Sequence, residues 1–284
     1  MSKFEQHLAA GRFVVTTEVA PPKGVELAGR IDRLRNLAGV DAVNVTDNQG
    51  GNLRMAPLAL AVRLAAAGIE PILQLTCRDR NRLALQADLL GAGALGIENL
   101  LILSGDHVRF GDHPEAKAVF DLDSVQLLGV VGRLMQGRDM AGRSLAGAPR
   151  FFTGAAVSPE AEPFELMFQK FTKKVEAGAR FFQTQAVFEG GRLEAFMAEA
   201  KPYGVKVVAG VLLLKSAAAA RYLNTHVPGV RVPTRLIERL EKAGDPLREG
   251  VAIAREMTAQ VRSLCHGVHL MTLGQETRIQ EILV

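Results

Sequence analysis

A chain of 284 residues has room for one large α/β domain or two small ones, and 48% hydrophobic residues are ample for a sizeable core. The absence of Trp argues against a carbohydrate-stacking surface, and with a net charge of +4 the basic residues are scattered among acids, showing no basic face interleaved with aromatics that would grip nucleic acid. Two cysteines, Cys77 and Cys265, are too few for a disulfide framework or a cysteine zinc site, and the absence of a secretory or membrane-spanning apolar run makes a cytoplasmic protein the expectation.

Short β-rich runs alternate with stretches of helical period. A first strand is expected over Phe13–Glu18, followed by a helix over Glu26–Leu37. The second strand, Ala42–Asp47, leads to a helix at Ala56–Ala67, and the third, Pro71–Thr76, to one at Arg80–Leu90. Leu100–Ser104 precedes Ser124–Gln136, and Phe151–Val157 precedes Pro163–Ala177. Phe181–Val187 leads to Arg192–Ala200, and Val205–Leu212 to Ala217–Leu223. Helices at Thr234–Lys242 and Pro246–Leu264 come before the last strand, Val268–Leu273, and Gln275–Leu283 follows it. Helix exits carry glycine at Ala67-Gly68, Ala92-Gly93 and Ala177-Gly178. Eight strands separated by helices imply parallel βαβ units closing into a (β/α)8 TIM barrel, a single domain over 1–284. An open doubly wound sheet is the runner-up, but no GxGxxG follows its first strand.

Residues two apart on a strand share a side. By that rule Thr16 pairs with Glu18, Asn44 with Thr46, Gln74 with Thr76, Ser104 with Asp106 in line with Ile102, and Gln183 with Gln185 in line with Phe181. In each case the polar set gathers at the C-terminal end of the strand, where a TIM barrel builds its active site. Burying such groups without partners costs roughly 1–3 kcal/mol each, so five strands doing it at one end point to function. Acids and neutral hydrogen bonders without His suit a polar heterocycle, not a metal.

Other groups read as structural. His107 and His113 around Asp112 fit a loop, and His266 and His269 beside Cys265 are dispersed. Arg78, Arg80 and Arg82, interrupted by Asp79, read as a solvated face, with attraction for an acidic small molecule as the alternative. No HExxH, P-loop, GxSxG or CxxC is present.

At the same strand ends the chain resembles the methylenetetrahydrofolate reductase family along nearly its whole length. TTEVAPPKG resembles that family's strand ending in Glu before a Pro-Pro turn, LQLTCRDRN its third-strand LTC motif, and NLLILSGDH its fourth-strand segment ending in Gly-Asp. KKVEAGARFFQTQAVFE resembles the segment leading to a catalytic-site Gln. VFDLDSVQLL, GVLLLKS and VPGVRVP resemble the branch found beside bacterial methyl-transfer enzymes.

The resemblance implies hydride transfer from a reduced flavin to methylenetetrahydrofolate, giving methyltetrahydrofolate. It implies Glu18 as general acid, Asp106 as the acid near flavin and pterin, and Gln185 as a pterin ligand, with Gln183 sharing that role. Implied flavin contacts are Thr46, Gln74, Ser104, Gly105, Asp106 and Lys174, with Phe120, Asp121, Leu122 and Asp123 bordering the ribityl and phosphate region. FAD is the first expectation and FMN the second, with NAD(P)H as electron donor. The chain departs from the pattern at Gln74, where the best-known members carry His, at Val157, where they carry Tyr, and near Met167, where a helix acid is expected. No regulatory domain is expected after the eighth unit. Two alternatives stay open: a flavin- or folate-binding subunit that needs a partner protein for electron supply, and an unrelated barrel lyase or isomerase. Beside the folate, the partners expected are a second copy in a homo-oligomer or a redox partner subunit. A Schiff-base aldolase would have only Lys206 or Lys215 as its candidate lysine.

Overall fold

The computed structural model describes residues 1–27, 29–227 and 229–284. Eight strands, β1 (Val14–Val19), β2 (Ala42–Val45), β3 (Pro71–Thr76), β4 (Asn99–Leu103), β5 (Phe152–Val157), β6 (Phe181–Ala186), β7 (Lys206–Leu212) and β8 (Gly267–Met271), are all parallel and close in chain order, β8 pairing with β1. This is the expected TIM barrel. The helices are α1 (Lys3–Ala9), α2 (Arg30–Arg35), α3 (Pro57–Ala66), α4 (Arg82–Ala94), α5 (Ser124–Met135), α6 (Phe164–Glu176), α7 (Gly190–Ala200), α8 (Ala217–His226), α9 (Thr234–Lys242), α10 (Pro246–Arg262) and α11 (Ile279–Leu283). Among the described residues no helix is long and apolar enough to cross a membrane.

Most elements lie within a few residues of their expected places, and the departures have local causes. The helix expected over 26–37 is only α2, because Gly29 takes φ 65° immediately before it. Ala28 in that stretch, and Pro228 in VPGVRVP, fall outside the described residues. The stretch Gln275–Leu283 begins as a 3-10 turn at Glu276–Arg278 before α11.

Two cores follow from strand alternation. Outward-facing residues such as Val43, Leu73, Ile102 and Phe182 pack under the helices. Inward-facing Val14, Ala42, Ile72, Leu101, Phe152, Phe181 and Val208 form a second cluster at the N-terminal end of the barrel, closed by Phe4 and Leu8 of α1. The Phe4, Phe152 and Phe181 rings meet there, with centroids 4.9 to 5.9 Å apart. Gly154 makes this possible, since a Cβ at that position would overlap the Phe181 ring. Helix α1 is an element that sequence periodicity did not announce. It is short, and its apolar residues Phe4 and Leu8, four apart, become a stripe only against the barrel floor.

Candidate active site

With the floor plugged, the polar residues occupy the layer above it. Glu18, near the end of β1, keeps a side chain 14% exposed. Its Oε1 faces the Gln49 amide at 3.4 Å, and its Oε2 lies 3.5 Å from Nε2 of His269. His269, from β8, is fully buried, and its Nδ1 lies 2.9 Å from the Thr16 hydroxyl and 3.4 Å from the Asn44 amide nitrogen. The Gln74 amide donates to the Asn44 carbonyl at 3.4 Å. A polar layer therefore runs across the barrel through β8, β1, β2 and β3. Thr46, just after β2, belongs to the same rim; its hydroxyl is buried and has no partner among the described residues.

A second group stands at the rim between the ends of β4, β5 and β6 and helix α6. Here a cavity of about 410 Å³ is lined by Ser104, Gly105, Asp106, Ser124, Lys174 and Gln185, among others. Gly105 adopts φ 87° and packs against Thr76 and Arg78. This turn carries Asp106 over the mouth. The alternation reading needs correction here: Ile102 faces the helices, and strand pairing on the β3 side runs only to Leu103. Ser104 and Asp106 reach the mouth through the turn, not through the pleat. On β6 a register shift between Gln183 and Ala186 does similar work. Thr184 donates to the Gln185 carbonyl and accepts from the Gly210 amide, leaving the Gln185 side chain exposed in the mouth while Gln183 is buried.

Lys174 reaches from α6 to donate to the Ala156 carbonyl at 2.6 Å. Burial holds its ammonium below the ordinary lysine value, Lys170 adds to the depression, and Asp123 partly opposes it. The segment before α5 is committed locally. Phe120 takes φ 41°, and Leu122 is buried in the outer core. Asp123 caps α5 in a capping box with Gln126. Asp121 accepts from the Arg82 guanidinium at 2.8 and 2.9 Å, which lowers its carboxyl to about 2.

The expectation of a solvated basic face is corrected at Arg78. Its side chain is 1% exposed, grips Asp79 at 2.7 and 2.8 Å, and donates to the carbonyls of Asn48 and Asp106. Burial alone would lower its charge affinity, but the Asp79 hydrogen bonds and charge raise it overall. Arg78 thus ties the loops after β2, β3 and β4 into one rim. Arg80 pairs with Asp47 and Asp88. Sequence reading missed both roles, since nothing local distinguishes a buried arginine from a solvated one.

Asp112, between its two histidines, accepts from Lys23, His113 and the Leu53 amide, a cross-link between loops. Among the described residues no group of three or more His, Cys, Asp or Glu is arranged to hold a metal. Lys206 opens β7 at the end away from the mouth, and Lys215 gives its ammonium to the Leu273 carbonyl. Cys77 is fully buried; desolvation, with the charges of Asp123 and Asp47, pushes its thiol up to about 12, against a smaller pull from Arg80. The thiolate is therefore suppressed at neutral pH. We expect a disulfide reagent at pH 8 to titrate no more than one thiol in the native protein and both after unfolding in guanidinium; rapid native labelling of two would contradict this burial.

The residues present fit a flavin. The orphaned Thr46 hydroxyl calls for an outside polar partner, as buried hydroxyls do. Lys174 supplies a cation to the rim cavity, and its neighbours Ser104 and Gln185 are neutral hydrogen bonders. Val157 and Met167, two of the three departures from the family pattern, line the same cavity and make that wall apolar.

Residues 3–284 match the family model described as methylenetetrahydrofolate reductase. Over 96% of its length the chain is 27% identical to methylenetetrahydrofolate reductase 2 of Schizosaccharomyces pombe, covering 45% of that protein. Over 90% of its length it is 24% identical to methylenetetrahydrofolate reductase 2 of Saccharomyces cerevisiae, covering 42%. The chain thus spans less than half the length of these curated relatives. Among solved structures, an uncharacterized protein from Clostridium thermocellum that binds two copies of 5-methyl-5,6,7,8-tetrahydrofolic acid has the same fold. The TM-score is 0.65 at 14% identity, covering 98% of this chain and 96% of that one.

Proposed function

This chain belongs to the methylenetetrahydrofolate reductase family, and from that premise we propose that it reduces 5,10-methylenetetrahydrofolate to 5-methyltetrahydrofolate with a bound flavin, FAD before FMN, and NAD(P)H as donor. The observation that carries the reading is the position of Glu18 near the end of β1, Asp106 in the turn after β4 and Gln185 near the end of β6, all at the C-terminal side of the barrel. The folate-binding protein of the same fold supports a reduced folate as the ligand.

Thr46, Gln74, Ser104, Gly105, Asp106 and Lys174 would hold the flavin, with the Phe120–Asp123 backbone at its border. Bound there, it supplies a hydride. The protein's own part is to make the one-carbon unit accept it. Glu18 gives its proton to the nitrogen that leaves that unit: the carboxyl O–H bond breaks, an N–H bond forms, and the five-membered ring opens to an iminium cation. The negative charge of Asp106 stabilises that cation. Gln185 and Gln183 hydrogen-bond the pterin and fix its orientation.

An absorption spectrum tests the reading. We expect a flavin band in the purified or reconstituted protein that bleaches anaerobically with NADH and returns with methylenetetrahydrofolate. The apolar wall at Val157 and Met167 favours a second reading, a subunit whose electrons come from a partner protein. Its signature is a band indifferent to NADH but reoxidised by the folate after chemical reduction. No flavin after reconstitution with either cofactor would remove the reductase reading.

A further inference from the structure

The imidazole of His269 has no place in the reaction as described, yet it is the fully buried side chain in contact with the proposed acid. Strand register sets it there: His269 of β8 stands opposite Thr16 of β1, and Glu18 is the next inward-facing residue on that strand. Its two nitrogens have unlike surroundings. Nδ1 meets the Thr16 hydroxyl at 2.9 Å and the Asn44 amide nitrogen at 3.4 Å. The Asn44 carbonyl is already taken by the Gln74 amide, so the NH2 group of Asn44 turns toward the ring. Nδ1 is thereby an acceptor, and the ring proton belongs on Nε2. Nε2 in turn has no hydrogen-bond partner among the described residues; Oε2 of Glu18 faces it at 3.5 Å, the outer edge of a hydrogen bond. Buried donors are rarely left idle, and catalytic contacts often shorten only when substrate closes the site.

We propose, resting on the reductase reading above, that His269 is a positioning residue for Glu18, its Nε2–H fixing the carboxyl orientation and the oxygen from which the acid proton leaves. An N–H donated in the plane to Oε2 makes that oxygen the carbonyl-like one; Oε1 then carries the transferable proton and, as a hydroxyl, still accepts from the Gln49 amide on its remaining lone pair. Once that proton has gone to the folate nitrogen, the same N–H stabilises the carboxylate left behind. His269 itself neither gains nor loses a proton. Thr16 acts one step further back by holding the tautomer.

The test uses the two amide replacements that each keep one ring nitrogen. In His269→Gln the amide reaches the Nε2 position; in His269→Asn it reaches only Nδ1 and keeps the Thr16 contact. Flavin-loaded wild type and variants are chemically reduced and mixed anaerobically with methylenetetrahydrofolate. Reoxidation by His269→Gln is expected within about tenfold of wild type, and by His269→Asn slower by about a hundredfold, with the KM for folate and flavin reduction by NADH unchanged. A role in packing alone predicts the reverse order, because the shorter contacts are on Nδ1; equal rates, or a faster Asn variant, overturn the proposal. If His269→Asn does not fold, Thr16→Val replaces it, with a several-fold loss in the same step expected and an unchanged rate fatal. Imidazole nitrogen NMR of the flavin-free protein reads the tautomer without any turnover: a proton on Nδ1 overturns the proposal as well. A wild type that never reoxidises with the folate sinks the reductase reading and this role together, whereas an active wild type with equal variants sinks this role alone.

Discussion

Glu18→Gln is expected to lower folate reduction by about 10²–10⁴-fold, the range that a positioned general acid contributes, and to leave reduction of the flavin by NADH in place. The substitution conserves shape. The carboxamide oxygen can still accept from His269 Nε2, while its NH2 group requires the Gln49 amide to turn its own oxygen inward. What is lost is the proton that opens the five-membered ring, so the fall belongs in the folate half-reaction and in kcat, not in KM. Anaerobic stopped-flow of the two half-reactions separates them. Folate reduction within tenfold of wild type would remove Glu18 from the acid's role and leave the flavin assignment untouched.

The second large effect is on stability. Phe181→Ala should destabilise the fold by about 3–5 kcal/mol, the usual cost of truncating a buried aromatic, and lower Tm by roughly 10 °C for a chain of this size. Phe181 stands at the centre of the floor plug, 1% exposed, its ring stacked 4.9 Å from Phe152 and edge-on at 5.3 Å to Phe4. Its space is made by Gly154 and cannot be refilled from β5 without moving backbone. The neighbouring strand ends carry the mouth, so the variant should also bind flavin more weakly. Thermal unfolding followed by circular dichroism measures the shift, and a loss under 1 kcal/mol would mean that the plug relaxes into the void.

Much of this architecture was legible because the forces that set it are local. Strands such as Pro71–Thr76 show their apolar runs directly, and the glycines after α3 and α6 mark helix exits whatever the rest of the chain does. The polar endings of β1, β2, β3 and β6 were legible for the same reason: a side chain that breaks an apolar pattern at a strand's end is visible without knowing its neighbours. Those endings, with the motifs they carry, located Glu18, Thr46, Gln74, Gln183 and Gln185 on the mouth.

Where strand alternation was pushed past the end of β4 it misled, because Gly105 reverses the chain and a turn does not keep a period of two. Arg78 was read as solvated because burial of a guanidinium depends on three carbonyl and carboxylate partners, two of them about thirty residues away in the chain. His269 was set aside as dispersed for a similar reason. It lies 253 residues from Thr16, and only closure of β8 on β1 brings the two within 2.9 Å. Helix α1 belongs with these, since two apolar residues acquire a face only once the barrel floor exists to receive them. Element type, barrel class and the acid and amide side chains at the strand ends were thus determined by the sequence itself, through period and pattern. The tertiary structure alone decided which of those side chains touch, which arginine is buried and which histidine stands behind the acid, because those contacts arise from ring closure between segments that no local pattern connects.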